Sequence, residues 1–245
     1  MSKPFKFKQF SIHQDKCAMK VGTDSVLLGV FAHAKDPKSI LDIGSGTGLL
    51  TLIMAQKYTN AKITAVEIDE AAYLQSQQNI SNSKFSQQII LFNQNILCFK
   101  PQNCYDLIIT NPPYYKQKNN YKIEDEQRSK ARHDKDLPFV DLIDFVLKNL
   151  NTEGCFWLIL PTKEANEFLA LCAKKLFLNE CVSIKPKPTK QPNRMILCFS
   201  LVQTKKTEKI FTVYNEDGSP TNEYIDITKE FYLWKAFDDE ENLKW

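Results

Sequence analysis

Four residues at the end of an apolar run, Asn111-Pro112-Pro113-Tyr114, could hold and activate an amino group. An amine conjugated to a ring or a carbonyl is a poor nucleophile, because its lone pair is delocalised. If the Asn111 side-chain oxygen and the Pro112 carbonyl each accept one amine hydrogen, the lone pair is freed and aimed along one axis. Tyr114 offers a flat face on which a flipped-out base can stack. The alternative interpretation is a proline-rich exit from a strand with an asparagine cap.

The element that must position Asn111 is the preceding run, Tyr105 to Thr110. Its continuous apolar residues, with Ile108 and Ile109 β-branched, predict a strand that is covered on both faces. Two prolines then end the strand, since neither can donate a hydrogen bond to a neighbour. The Asn111 amide is therefore expected at the carboxyl end of a strand, where open α/β sheets bind ligands.

A second signal is the glycine turn Gly44-Ser45-Gly46-Thr47-Gly48. It lies between a predicted strand, Ser39 to Ile43, and a predicted helix, Leu49 to Gln56. Glycines let the backbone approach a ligand closely, and the N-terminus of the helix presents free N–H groups. The turn lacks the later glycine of the dinucleotide fingerprint, which disfavours NAD. A cofactor that bears a carboxylate fits better.

Glu67 stands about twenty residues after the glycine turn, near the end of the predicted strand Lys62 to Ile68. A carboxylate in this position can accept hydrogen bonds from both ribose hydroxyls of an adenosine moiety. The next predicted elements are a helix over 69–82 and a strand over 89–92. Asn95 follows that strand and either hydrogen-bonds an adenine edge or merely turns the chain.

The composition, with 43% hydrophobic and 25% charged residues, is that of an ordinary globular protein. The 245 residues suit one large domain, with or without an appendage, and the net charge of +3 decides nothing. We expect no signal peptide and no membrane span, because no long apolar run is present. The seven scattered cysteines indicate a reducing compartment, so we expect a cytoplasmic protein. The three histidines lack the spacing of metal ligands, and we expect no metal.

The N-terminal segment has two parts. Residues 1–10 alternate Lys with Phe, which predicts an edge strand or a basic, aromatic arm that touches nucleic acid. Apolar residues at helical spacing then predict a helix over Ser25 to Ala34, with Thr23 or Asp24 as its N-cap. The residues from Lys20 to Asp24 are either the plain start of this helix or a lid over the ligand.

The C-terminal half continues the alternation of strands and helices after a polar stretch, 115–136, that predicts a long loop or a flap. The predicted elements are helices over Leu137–Leu150 and Thr162–Phe177, strands over Gly154–Leu160, Glu180–Lys185, Arg194–Gln203 and Lys209–Tyr214, and an aromatic-rich helix over Glu223–Phe237 that packs on the sheet. The tail Asp238–Glu241 should be solvated.

The connection from Lys185 to Arg194 is basic, contains no acid and is stiffened by prolines. It is either a rigid hairpin loop or a prong that contacts phosphates, and we favour the prong. The residues expected to contact these phosphates are Lys185, Lys187, Lys190 and Arg194.

Taken together, these motifs resemble a known family. The segment Asp42 to Gly48, Glu67 and Asn111 to Tyr114, in this order, are similar to the class I S-adenosylmethionine-dependent methyltransferases that methylate amines. Two N-terminal segments, Phe7 to Phe10 and Met19 to Asp24, resemble the bacterial tRNA(Val) adenine-N6 methyltransferases. Members of that family modify the adenine just 3′ of the anticodon, and the resemblance covers nearly the whole chain.

The resemblance implies S-adenosylmethionine as cofactor and assigns roles to individual residues. The glycines of the turn would face its methionine part and Glu67 its ribose. Asn95 falls where many relatives have Asp, although an amide oxygen can accept the same hydrogen bond. The implied cofactor-binding residues are Lys20, Thr23, Asp42, Gly44, Gly46, Gly48, Glu67, Ile68, Asn95 and Asn111. The implied catalytic residues are Asn111, Pro112, Pro113 and Tyr114.

The expected architecture is a doubly wound α/β domain with a seven-stranded, mostly parallel sheet. Residues 1–245 would form a single domain, with a core over 37–204 and extensions over 1–36 and 205–245. The expected function is methylation of the N6 amine of an adenine in tRNA by a monomer. The alternatives are methylation of a protein glutamine, methylation of adenine in rRNA or DNA, and a non-catalytic RNA-binding protein.

Overall fold

The computed structural model describes residues 3–16, 20–112, 137–173 and 175–234. Pro113, Tyr114 and the predicted flap 115–136 lie outside the described residues, as does the tail Asp238–Glu241. Among the residues that are described, no helix is long and apolar enough to cross a membrane.

The strands and helices alternate along most of the chain. In chain order they are β1 (Phe5–Lys6), β2 (Ser11–Ile12), α1 (Thr23–Phe31), β3 (Ser39–Ile43), α2 (Leu49–Lys57), β4 (Lys62–Glu67), α3 (Glu70–Ser81), β5 (Ile89–Asn93), β6 (Tyr105–Thr110), α4 (Phe139–Asn149), β7 (Leu150–Pro161), α5 (Thr162–Cys172), β8 (Phe177–Lys185), β9 (Arg194–Ser200), β10 (Thr207–Thr212) and α6 (Asn222–Thr228).

Eight strands of the described chain form one central sheet in the order β10-β8-β9-β7-β6-β3-β4-β5. Strands β3 to β7 are parallel to their neighbours among themselves, and β9 is antiparallel to both β7 and β8. After β3 the chain builds outward through β4 and β5, and then crosses to the other side of β3 with β6. The order reverses between β3 and β6, which is where such sheets bind ligands.

The sheet is covered on both faces, as a parallel sheet requires. One apolar cluster contains residues of α1, α2 and α6 together with the N-terminal segment, and the other contains residues of α4 and α5. Successive residues of β7 alternate between them, with Trp157 in the first cluster and Phe156 in the second. The predicted doubly wound α/β fold is confirmed.

The predicted strand number was wrong by one, because β10 of the C-terminal extension joins the central sheet. β10 is parallel to β8, with Lys209 opposite Val182. Its side chains are mostly exposed, but Phe211 is fully buried and lies edge-on against Phe31 of α1. This buried aromatic residue anchors β10 against α1, which lies far away in sequence.

The predicted C-terminal helix was too long. α6 ends at Thr228, and the next aromatic residues pack as a turn, with the Phe231 and Tyr232 N–H groups donating to the Thr228 carbonyl. Tyr232 stacks on Phe7, with ring centroids 5.6 Å apart, and its backbone forms a bridge with Phe7. Tyr232 therefore packs on the N-terminal segment and does not line one face of a helix.

The N-terminal segment forms two short strands, β1 and β2, which pair with each other in a separate two-stranded sheet and not at the edge of the central sheet. Phe7 and Phe10 are buried and stacked, whereas Lys6 and Lys8 are exposed. The helix after it, α1, begins at Thr23, and its N-cap is Gly22 with no side-chain cap. The predicted caps, Thr23 and Asp24, lie inside the first turn, and Asp24 pairs with Arg194 of β9.

Candidate active site

The two strongest motifs of the sequence meet at the carboxyl edge of the sheet. Ile43 at the end of β3 lies opposite Thr110 at the end of β6, and the Thr110 hydroxyl donates to the Ile43 carbonyl over 2.8 Å. Gly44 is the first residue after β3, and Asn111 is the first residue after β6. The glycine turn and the asparagine therefore leave adjacent strands side by side.

Asn111 keeps one end of its amide without a partner. Its Nδ2 donates to the Ser25 Oγ over 2.8 Å, while its Oδ1 is buried and has no hydrogen-bond partner among the described residues. A buried, unsatisfied acceptor costs about 1 to 3 kcal/mol, so a ligand that donates a hydrogen bond here gains affinity. Pro112, whose carbonyl was predicted as the second acceptor, is also buried.

The glycine turn leaves room beside its backbone. Gly44 and Gly46 have φ values of +72° and +56°, which favour glycine, and a Cβ added to either would meet no atom within 4 Å. Gly48 differs, because a Cβ there would lie 2.7 Å from the Ser76 Oγ of α3. The first two glycines therefore border open space for a ligand, whereas Gly48 permits close packing of the turn on α3.

The Glu67 carboxylate ties the glycine turn to the end of β4. It is 7% exposed, and it accepts hydrogen bonds from the N–H groups of Gly46 and Asp69 over 2.7 and 2.8 Å. An ionised carboxylate has roughly four acceptor positions, so two remain for hydroxyl groups of a ligand. The side chain lies where the sequence predicted a ribose acceptor.

Asp42 is a buried acid just before the turn. One carboxylate oxygen accepts from the Thr51 hydroxyl over 2.6 Å, and the other has no partner among the described residues. Burial raises the pKa of Asp42 from 3.8 to about 7, and the charge of Glu67 adds to this rise, although the Thr51 hydrogen bond lowers the pKa. A cation beside Asp42 would favour its ionised form.

The remaining cofactor candidates lie around this edge with different partners. Lys20 and Ile68 are exposed, and Thr23 lies beside the Tyr224 hydroxyl of α6. The Asn95 side chain accepts from the Leu97 N–H over 2.9 Å and caps a short 3-10 turn. Asn95 therefore turns the chain, and its contact with an adenine stays a prediction.

The basic connection between β8 and β9 lies at the same edge, because β8 runs in the direction of β7. Arg194 pairs with Asp24 of α1, with Nε and Oδ2 2.8 Å apart. The Lys185 ammonium donates to the Pro188 carbonyl and the Lys187 ammonium to the Glu216 carbonyl. The side chain of Glu216 also accepts from the Thr189 N–H, so an acid from another loop packs on this basic segment.

Sequence reasoning missed Ser25, which lies 86 positions from Asn111 along the chain. The residue follows the segment 20–24 that was singled out as a lid, and this is the only signal that could have drawn attention to it. No periodicity or spacing connects it to Asn111.

Comparison with known proteins identifies the family. A family model described as methyltransferase small domain matches residues 17–134. The tRNA1(Val) (adenine(37)-N6)-methyltransferase of Flavobacterium psychrophilum is 41% identical over 233 residues, which are 94% of this chain and 99% of that protein. The enzyme of the same name from Flavobacterium johnsoniae is 41% identical, over 94% of this chain and 99% of that protein. The chain belongs to the tRNA1(Val) (adenine(37)-N6)-methyltransferase family.

The fold of this family member agrees with a solved methyltransferase structure. A predicted O-methyltransferase from Agrobacterium tumefaciens superposes with a TM-score of 0.67 at 18% identity, over 85% of this chain and 96% of that one. At this identity the likeness concerns the fold alone. The resemblance drawn from Asp42 to Gly48, Glu67 and Asn111 to Tyr114 is confirmed at the level of the family.

Proposed function

We propose that this chain methylates the N6 amine of an adenine in tRNA, at the position just 3′ of the anticodon of tRNA(Val), with S-adenosylmethionine as methyl donor. The observation that carries the proposal is the buried Asn111 Oδ1 beside the glycine turn, which has no hydrogen-bond partner among the described residues. An acceptor in this place suits an amine that must be oriented next to a cofactor. The relatives named above are tRNA methyltransferases of this specificity.

The residues at the carboxyl edge fit this cofactor. Open space beside Gly44 and Gly46 admits its methionine part, and Glu67 retains acceptor capacity for its ribose. Asp42 offers a carboxylate oxygen, close to the turn, that no other described residue contacts with a hydrogen bond. When bound, S-adenosylmethionine would supply a methyl group on a sulfonium as the electrophile, and the neutral thioether that is left when the sulfur–methyl bond breaks would be a good leaving group.

The chain's own contribution to the reaction is orientation. Asn111 Oδ1 and the Pro112 carbonyl each accept one hydrogen of the adenine amine, which frees its lone pair for in-line attack. Pro113 and Tyr114 would stiffen the loop and stack on the base. No general base is required, because the methylated ammonium loses its proton readily to water. Exclusion of water from the site strengthens both hydrogen bonds.

The raised pKa of Asp42 predicts that cofactor affinity depends on pH. In the free protein this group titrates near 7, and a bound cation would keep it ionised. Affinity should rise up to about tenfold from about pH 6 to about pH 8, because the free enzyme must release a proton at the lower pH. Calorimetric titrations of S-adenosylmethionine across this range measure the effect.

Asp42→Asn is the control for this titration, because it leaves only the ionisation of the cofactor itself. An equal pH dependence in the wild type and in this variant would contradict the role of Asp42.

Asp42 also affects the stability of the cofactor-free protein. Its pKa is raised on folding from 3.8 to about 7, so its contribution to the free energy of unfolding falls as the pH rises through that window.

We further propose that Lys185, Lys187 and Lys190 contact phosphates of the tRNA, with Arg194 anchoring the loop to Asp24 of α1 at the same time. Replacing the three lysines by Gln should weaken tRNA binding and lower the slope of log K against log salt by up to about three units, one for each lost contact. Cofactor affinity should not change, since the described bonds of Lys185 and Lys187 are to the carbonyls of Pro188 and Glu216 and not to the glycine turn. Titrations of tRNA at several salt concentrations test this.

A matched control replaces three exposed lysines near the opposite edge of the sheet, Lys35, Lys62 and Lys84, by Gln. This variant has the same net charge as the loop variant. If both variants have the same salt slope, long-range charge explains the effect and the loop is only a stiff connection. If the loop variant has the wild-type slope, the tRNA lies elsewhere.

The function itself is tested by incubating the protein with labelled S-adenosylmethionine and either tRNA or a protein release factor. N6-methyladenine in the tRNA nucleosides, found by mass spectrometry, is the expected result. Methylation of the release factor alone would favour the glutamine alternative, since an Asn-Pro-Pro-Tyr site suits that amine equally well. Absence of cofactor binding by calorimetry would favour a non-catalytic RNA-binding protein.

We propose a monomer acting in the cytoplasm, where its tRNA substrate is found.

A further inference from the structure

The first turn of α1 reaches into the acceptor site through Ser25. Its Oγ accepts a hydrogen bond from Asn111 Nδ2 over 2.8 Å, and the residue is partly buried. The opposite end of the same amide, Oδ1, is buried and has no hydrogen-bond partner in the part of the chain that the structure describes. Ser25 therefore occupies the one end of the amide that cannot serve the acceptor amine.

This contact matters because the two ends of a carboxamide differ in chemistry. The oxygen only accepts hydrogen bonds, and the nitrogen only donates them. An amide rotated by half a turn would present N–H groups to an amine that also donates, and the two would repel each other. Holding Nδ2 in place therefore keeps the acceptor oxygen available.

We infer that Ser25 is a positioning residue for the proposed methyl transfer, because its hydroxyl oxygen fixes the Asn111 amide in the orientation that leaves Oδ1 for the adenine amine. This inference rests on the proposed function and adds a residue to it. Ser25 itself contacts neither the substrate nor the cofactor in this account.

The position of Ser25 is fixed by its neighbours on α1. Asp24 pairs with Arg194 of β9, and Thr23 lies beside the Tyr224 hydroxyl of α6. At the other end of the helix, the Lys57 ammonium of α2 donates to the carbonyls of Gly29, Val30 and Ala32. Asp24 thus attaches the first turn to β9, and Ser25 attaches it to Asn111, which follows β6.

The test compares Ser25→Ala with Ser25→Thr. Loss of the hydroxyl should lower kcat roughly 3- to 10-fold, which corresponds to the loss of one neutral hydrogen bond. The cofactor Kd and the KM for tRNA should stay at the wild-type values, since neither ligand contacts Ser25. Threonine keeps the hydroxyl and should retain kcat within about twofold of the wild type. Ser86→Ala, in the connection before β5, is the matched control for a serine-to-alanine change.

A second arm uses Asn111→Asp as the background. The two oxygens of a carboxylate are alike, so its orientation no longer matters. Adding Ser25→Ala to this background should therefore change kcat less than it does in the wild type. If the Asp variant is inactive, the comparison of Ser25→Ala with Ser25→Thr decides.

Two results would overturn the inference in a protein that methylates tRNA. One is a wild-type kcat in Ser25→Ala, and the other is an equal loss in the alanine and threonine variants, which would indicate packing. Failure of the proposed function looks different, because the wild type itself would then leave tRNA adenine unmethylated.

Discussion

Asn111→Ala is expected to lower kcat for tRNA methylation by about 100-fold or more, because a misplaced acceptor amine alone costs a factor of this size. The variant removes the buried Oδ1 that would accept from the adenine amine, and with it the hydrogen bond to Ser25. Cofactor affinity should stay close to the wild-type value, because the amide acts on the acceptor. Single-turnover rates at saturating cofactor, together with calorimetric Kd values, measure the two effects separately.

The matched control is Asn103→Ala, an exposed residue in the connection that precedes β6. This variant changes the same residue type near the opposite end of the strand that carries Asn111, and it should have wild-type kcat and Kd. A wild-type turnover in Asn111→Ala would remove the residue from the reaction. A large loss of cofactor affinity in the same variant would instead place Asn111 in the cofactor site.

Glu67→Ala is expected to weaken S-adenosylmethionine binding by about 1.5 to 3 kcal/mol, the range for hydrogen bonds to a charged group. Two causes act together. The carboxylate is the proposed acceptor for the ribose hydroxyls, and it also holds the N–H groups of Gly46 and Asp69 in the free protein. Calorimetric titration gives the dissociation constant, and kcat at saturating cofactor should change much less than the affinity.

Glu70→Ala is the control, because Glu70 is an exposed acid in the first turn of α3, three positions after Glu67. It reports the effect of removing one negative charge near the cofactor without touching the glycine turn. Equal dissociation constants for the wild type and Glu67→Ala would refute the ribose assignment. Equal losses in the two Glu variants would assign the effect to charge alone.

The sequence by itself determined most of the sheet and the strand ends that carry the candidate site. β3 and β6 have the predicted bounds, and the helix predicted from Leu49 ends one residue later at Lys57. Local physical rules act within these stretches: β-branched apolar runs favour strands, glycines allow the positive φ values of the turn, and prolines end β6. Because parallel strands place their carboxyl ends on one edge, Asp42, Glu67 and Asn111 could be assigned to one site before their distances were known.

Only the tertiary structure decided which distant residues meet. The Ser25 hydroxyl accepts a hydrogen bond from the Asn111 amide, and Arg194 pairs with Asp24, which is 170 positions away in the chain. β10 adds an eighth strand to the sheet. Each contact joins segments that are independent in local propensity, so no pattern within a short window can encode it. The aromatic residues after Thr228 show the same limit, since their spacing suits a helix but their partner is Phe7 at the other end of the chain. The packing of the whole chain, and not the preference of any segment, sets these contacts.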